Sequence, residues 1–502
     1  MAIDTADAVV KSAPPAQTAA APPSASAPRL TEDWLAVCIG LLVFALSLTL
    51  LFSVDSLGWA ITTSMWTDVG KALNPASKAY ANLPRLLSLL GTYVFMLVVL
   101  LVGAKGLGAN IKKFAAGFTV VFALSYACWI LGSWAYIAAT PNQRAGFKLP
   151  WSLNLTNESG FIIALLAGLI IGNFMPGLAA SIKEAIRPEL YIKTAIVILG
   201  GFLGITALSQ KALAGTMLFQ GLCSIVIAYL VFWPIVYYVA RKWFGFSREW
   251  AAPLASGISI CGVSAAIATG GAIRSRPVVP VMVSSLVVIF SVIELLFLPF
   301  VAQHFLYHQP MVAGAWMALA VKTDGAAVAS GAVADALIRA KAATDLGLNF
   351  QPGWIMSTAA TVKVFIDIMI GVWAFVLAWV WSAKFERKEG GKVRAIEIWK
   401  RFPKFVLGYV ATFLLVLLIG TAAPGTISKV SAAMGQANVF RGIFFVMTFF
   451  SIGVVSNFRK LWEEGIGKLA AVYVACLFGY IIWVGLGISW IFFHGMMPPL
   501  VK

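Results

Sequence analysis

The stretch from Gly257 to Arg276 reads GISICGVSAAIATGGAIRSR and lies inside a long apolar region. Gly257, Gly262, Gly270 and Gly271 free the backbone to bend or unwind. Ser259, Cys261, Ser264 and Thr269 bring small polar groups to membrane depth. This pattern predicts a span interrupted near Gly262. Irregular backbone is tolerated in a bilayer only where it is buried in protein or lines a watery cavity, and interrupted spans are a sequence sign of a transporter's binding site. The chemistry on offer is anion coordination, because N–H groups at a helix N-terminus point at a negative solute and the helix dipole favours its charge. A break at Cys261–Gly262 aims the N–H groups of Ser264 and Ala265 into the midplane. A matching break near Gly453 would aim those of Ser456 and Asn457 at it from the opposite side. Ser259, Cys261, Gly262, Ser264, Ser456 and Asn457 are thus candidate anion-binding residues. The competing explanation is close helix packing through small residues.

A second set consists of charges within apolar spans. Lys193, Lys322 and Lys363 are cations there, with Glu294, Asp324 and Asp367 as candidate partners. A charge at a helix centre costs about 2.5–3.5 kcal/mol on insertion scales, so each must be paired or wetted. Lys363 and Asp367 are four apart and share a helix face. Two readings stand for them: a mutually neutralised structural pair, or Lys363 attracting the anion while Asp367 or Asp324 exchanges a proton. Lys322 joins the candidate anion ligands. Arg274 and Arg276 close the interrupted span as an anion vestibule or a plain loop anchor, and Arg441 is a similar case. His304 and His308 are four apart with no further His or Cys nearby, which argues against a metal site.

The elements that position these groups are transmembrane helices. The chain has 502 residues, is 60% apolar and 11% charged, and has a mean hydropathy of +0.89, which marks a polytopic membrane protein. A net charge of +17 would suggest nucleic acid in a soluble protein. Here most Lys and Arg sit in short loops, as membrane orientation requires, so no nucleic-acid partner is expected. The five cysteines lie in apolar spans, which predicts free thiols. Residues 1–30 are rich in Ala, Pro and Ser and read as a disordered tail. Spans are expected at 34–54, 86–104, 114–139, 160–177, 190–208, 213–240, 250–272, 278–303, 312–333, 352–383, 403–424, 437–457 and 468–495, about thirteen helices in all. Lys and Arg then favour a cytoplasmic N-terminus, dominated by the basic loop from Lys384 to Arg401, and place Arg274 and Arg276 outside.

Three spans (31–158) form an N-terminal extension, and ten follow as two fives, 159–303 and 304–500. An odd number per unit inserts the second unit upside down. The fourth member of each five carries a similar hexapeptide, SICGVS at 259–264 and SIGVVS at 451–456. The expected fold is therefore all-α and polytopic, with two inverted five-helix repeats and crossing discontinuous helices.

The ISICGVSAA run at 258–266 resembles the signature of a bacterial sulfate-exporter family, long described as conserved hypothetical membrane proteins. LLAGLIIGN at 165–173, LYIKTAIVILGG at 190–201, ATVK at 360–363 and FPKFVLGY at 402–409 extend the resemblance over about residues 159–500. It implies the fold class of sodium/proton antiporters and bile-acid symporters, with a core of two crossing broken helices and a panel domain that often forms homodimers. It also implies export of sulfate or sulfonate anions across the cell inner membrane. Where members often carry a His and an acidic residue before a Gln-Val-Val run, this chain reads Val321, Lys322, Thr323, Asp324, Gly325. Members often follow the lysine of ATVK with an Arg, and here the charged residue is Asp367, departures that leave a carrier of another small organic anion as an alternative.

Other functions are weighed against these residues. A cation/proton antiporter needs acidic groups beside the broken helices, and neither 257–273 nor 448–458 contains one. A membrane enzyme wants acidic or His clusters at the surface, and none is convincing, so no catalytic residue, cofactor or metal is expected. A channel fits the two-half layout less well than alternating access does. No phosphate-binding P-loop occurs, which argues against ATP-driven transport by this chain. The expected partners are a small anion and the lipid bilayer.

Overall fold

The structure is a computed structural model that describes residues 31–139, 141–153, 155, 159–209, 211–276, 278–384, 403–456 and 467–501. The disordered tail expected for 1–30 and the basic loop of 385–401 lie outside them. Helix α1, Glu32–Leu48, starts behind Thr31, whose side chain accepts from Trp34 N, with Glu32 and Asp33 complementing the dipole. A short 3₁₀ turn leads to a two-stranded hairpin, β1 (Ile61–Thr63) and β2 (Leu73–Pro75), paired Thr62 to Asn74. Helices α2 (Arg85–Gly106) and α3 (Ile111–Gly132) complete the extension, with Asn110 capping α3 through a bond from Lys113 N. A row of ring contacts on α3, Phe114, Phe118, Phe122 and Tyr126, results from aromatic residues repeating every four positions.

The remaining helices are α4 (Ser159–Phe174), α5 (Pro188–Ser209), α6 (Lys211–Lys242), α7 (Arg248–Ser259), α8 (Val263–Ala272) and α9 (Val278–Phe305). They continue with α10 (Pro310–Ala320), α11 (Asp324–Asp345), α12 (Trp354–Lys384), α13 (Phe405–Ala422) and α14 (Ile427–Val455). A last helix, α15 (Gly467–Cys476), passes through a π-helical turn, Leu477–Ile481, into α16 (Ile482–Phe493).

Ten described helices are long and apolar enough to cross a membrane, and a pair bent by 112°, Ser159–Phe174 with Pro176–Ala185, makes an eleventh if taken as one span. The other two expected spans, 250–272 and 312–333, are helical hairpins that fold back on themselves. In the first, Thr269 Oγ1 of α8 donates to Ser256 Oγ of α7 at 2.6 Å, and Arg276 N donates to Glu249 at 2.7 Å. Partners spaced in this way, 256 with 269 and 249 with 276, mean antiparallel arms that begin and end on one face. In the second, the Lys341 ammonium lies 4.9 Å from the Tyr307 ring, so the start of α10 and the end of α11 share a face. Gly314 of α10 and Gly331 of α11 also meet the same turn of α12, at Ile355–Thr358 and Met356–Ala359. Among the described residues, ten or eleven crossings and two re-entrant hairpins stand where thirteen crossings were expected. Composition and length could not tell a hairpin of two short helices from one interrupted span.

Contacts between chain-distant segments fix which ends share a face. Arg187 pairs with Glu32 and Lys193 with Asp33, while Lys404 N donates to Asp33, so the starts of α1, α5 and α13 lie together. On the opposite face Val501 N donates to Asn349 O at 2.7 Å and Gly495 N to the Gln309 side chain at 2.9 Å. α9 crosses between the hairpins, so the first opens on the α1-start face and the second on the other. Arg274 and Arg276 consequently share a face with the start of α1, not the opposite face expected for them.

Candidate functional site

The tips of the two hairpins meet inside the bundle. At the first tip Ile260, Cys261 and Gly262 leave the helical conformation, with Gly262 at φ +68° and ψ −108°. That region favours glycine. A β-carbon at Gly262 would lie 3.0 Å from the carbonyl oxygen of Lys322, in the second tip, and 2.4 Å from Val287 Cγ1 of α9. The second tip is Val321–Lys322–Thr323. Thr323 caps α11 by accepting from Ala326 N, and α9 takes up the amides that the reversal frees. Lys322 N donates to Glu294 Oε2 at 3.0 Å and Thr323 N to Ser291 Oγ at 3.2 Å. Tyr473 OH reaches the other Glu294 oxygen at 3.5 Å.

Lys322, Lys363, Asp324, Asp367 and Glu294 are all buried here. The Lys322 ammonium donates to Leu319 O and lies 5.4 Å from the Phe232 ring. Lys363 Nζ donates to the carbonyls of Val321 and Lys322 at 3.2 and 3.3 Å and pairs with Asp324 at 3.8 Å. Ligand atoms of Cys261, Asp324 and Asp367 all lie within 4.8 Å of one another. Ser259 Oγ and Asp367 Oδ1 are buried with no hydrogen-bond partner among the described residues. At the start of α8, the N–H groups of Val263, Ser264 and Ala265 are the ones a helix leaves without intrahelical acceptors, and Ser264 is half-buried beside the tip.

Among the sequence candidates, the structure brings Ser259, Cys261, Gly262, Ser264, Lys322, Lys363, Asp324 and Asp367 to the two tips or their first turns. It separates others. No break occurs at Gly453: α14 runs unbroken to Val455. A β-carbon at Gly453 would strike Leu165 O of α4 at 2.3 Å, and one at Gly168 would strike Phe450 O at 2.2 Å. The glycine of SIGVVS thus serves close helix packing, the competing explanation given for such stretches, and its match to SICGVS does not extend to conformation. Ser456 is not a tip residue; its hydroxyl donates to Ile452 O at 2.7 Å, and its carbonyl accepts from Asn173. Asn457 lies outside the described residues. Lys193 forms its ion pairs with Asp33 at 3.0 Å and Glu189 at 3.4 Å rather than with Glu294, Asp324 or Asp367, although its charge is still felt by the two aspartates. The ion-pair partner of Lys363 is Asp324 on the facing helix, rather than Asp367 one turn along its own.

Some working residues escaped the sequence reading. Ser256 accepts from Thr269 and from Trp233 Nε1 at 2.8 Å, which ties the two arms of the first hairpin to α6. Ser291 is one helical turn before Glu294, and that spacing on an apolar helix is the signal that could have found it.

A helical bundle with oppositely opening hairpins and a buried ionic junction defines an all-α, multi-pass membrane protein. The family described as Conserved hypothetical protein 698 matches residues 147–472. A UPF0324 membrane protein of Nitrosomonas europaea is 42% identical over 478 residues, which cover 94% of this chain and 97% of that one. One of Rhodopirellula baltica is 30% identical over 396 residues, 77% of this chain and 64% of its own. An uncharacterized protein of Archaeoglobus fulgidus is 49% identical over 181 residues, 31% of this chain and 97% of its own. The chain belongs to the UPF0324 membrane protein family, the family its sequence resembles. The Nitrosomonas alignment covers more than residues 159–502 could supply, so the N-terminal extension is shared with that relative. No solved structure matches.

Proposed function

We propose that the protein is a secondary transporter of the cell inner membrane, N-terminus cytoplasmic, that moves a small sulfate-like or sulfonate anion past the two hairpin tips. The observation that carries this is the contact of Gly262 with Lys322 across the tips of hairpins that open on opposite faces. A junction of this kind can be exposed to either side by moving a hairpin or the bundle around it, as alternating access requires. The N–H groups at the start of α8, with Ser259, Ser264 and Lys363, supply donors to a dehydrated anion.

A second reading is favoured by the Cys261, Asp324 and Asp367 cluster. With Lys322, Lys363, Glu294, Asp324 and Asp367 all ionised, the junction holds one more negative charge than positive. A proton or a monovalent cation at the two aspartates balances it. This makes the aspartates the coupling site of an anion carrier, or the transport site of a cation/proton antiporter. Acidic groups belong beside the tip after all, contributed by α11 and α12 rather than by the hairpin's own sequence. No catalytic step or cofactor enters either reading.

Flux in proteoliposomes tests both, with sulfate, sulfite, taurine and small sulfonates offered with and without pH and sodium gradients. Anion flux that responds to a gradient supports the first reading. Sodium or proton flux with no movement of any anion replaces it with the second.

A further inference from the structure

Away from the tips, a cavity of about 420 Å³ opens on the face where the second hairpin opens. Its lining draws on Thr62 and Thr63 of β1, Trp129 of α3, and residues of α4, α5, α11, α12 and α14. Two guanidinium groups enter it. Arg339 Nε donates to Asp335 Oδ2 at 2.7 Å, and Asp335 also accepts from the amides of Gly353 and Ile355 at 3.1 and 3.0 Å, so this carboxylate is committed to holding the start of α12. Arg441 is oriented by Asn438 and Met356 and lies 5.0 Å from the Phe445 ring and 5.9 Å from that of Phe202. Aromatic walls around a planar, multiply donating cation suit an oxyanion head joined to an apolar body. The volume falls within the ~300–1,000 Å³ of small-molecule sites and is much larger than a bare tetrahedral oxyanion fills. The cavity touches α11 at Ala332, about 12 Å along that helix from Asp324 at 1.5 Å per residue.

We infer that this cavity is a binding site for an organic anion, a sulfonate carrying an apolar group, and that it feeds the hairpin junction. In the proposed orientation it faces away from the cytoplasm. The inference rests on the transport reading for the identity of its cargo. It also gives the N-terminal extension a task, because β1 and α3 wall a site that residues 159–500 alone would leave open.

The test is calorimetric titration of the full-length protein in phosphatidylcholine nanodiscs with benzenesulfonate, inorganic sulfate and neutral benzenesulfonamide. Benzenesulfonate is expected to bind at least tenfold more tightly than either of the others. Arg441→Gln should weaken it tenfold or more, and Lys112→Gln, exposed at the end of α3 far from Trp129, should leave it unchanged. Arg441→Lys, which keeps the charge but not the planar fork over the rings, should fall between and serves if the Gln variant does not fold. Equal affinity for sulfate and benzenesulfonate, or indifference to both Arg441 substitutions, overturns the inference. So does abolition of benzenesulfonate binding by phosphatidylglycerol, which would make a lipid headgroup the occupant. Sulfate flux without benzenesulfonate binding overturns this site and leaves the transport reading standing. Arg441-dependent binding with no flux of any anion does the reverse.

Discussion

Gly262→Ala is the sharpest perturbation available at the hairpin junction. Gly262 sits at φ +68° and ψ −108°, where a side chain costs about 1–3 kcal/mol. The added carbon would lie 2.4 Å from Val287 Cγ1 and 3.0 Å from Lys322 O. Ordinary carbon contact is about 3.5–4.0 Å, so the tip or α9 must yield by about 1 Å. Overpacking of that kind costs a further ~1–3 kcal/mol. The expected total is about 2–6 kcal/mol, read as a lowered thermal unfolding midpoint of the purified protein and as lost anion flux in proteoliposomes. Gly215, in α6, is the control, because a β-carbon there meets nothing within 4 Å; Gly215→Ala should leave both readouts near wild type. Val287→Ala removes the closer clash, so the double variant should regain part of the stability lost by Gly262→Ala alone. Should Gly262→Ala unfold and transport like Gly215→Ala, the tips do not meet as described and the reasoning from their contact fails.

The re-entrant topology predicts that cysteines placed at Glu249 and Arg276, in a background lacking the five native ones, react with a membrane-impermeant thiol reagent from the same face; labelling from opposite faces would restore a crossing span. Gly168→Ala should cost about 1–3 kcal/mol in thermal unfolding by pushing α4 off the Phe450 carbonyl, and an unchanged midpoint would contradict that packing. Asp335→Ala removes the acceptor of several α12 amides and the partner of Arg339, an expected loss of about 2–4 kcal/mol in unfolding experiments. Lys363→Met leaves Asp324 without its ion-pair partner and should abolish flux, whereas Lys363→Arg should retain some. Wild-type flux in the Met variant would remove Lys363 from the mechanism.

Much of this protein was legible from its residues one after another. Apolar runs of membrane length fixed where helices form, because a bilayer admits no other open-ended backbone. The glycines and small polar residues of 257–271 announced a departure from regular winding at Gly262, since glycine alone occupies that conformation without strain. Tertiary structure decided whether each interruption turned the chain back or let it continue. A hairpin and a broken span share length and composition, and only the bonds of Ser256 with Thr269 and of Glu249 with Arg276 separate them. The second reversal, at Val321–Thr323, lacks glycine and depends on Ser291 and Glu294 of a different helix to accept its freed amides. The likeness of SICGVS to SIGVVS misled for the same reason: small residues permit both an unwound tip and tight helix contact, and the neighbour supplied by the fold chooses between them. The pairing of Lys363 with Asp324, and the nearness of both aspartates to Cys261, likewise arise where distant elements converge, which spacing along one helix cannot express.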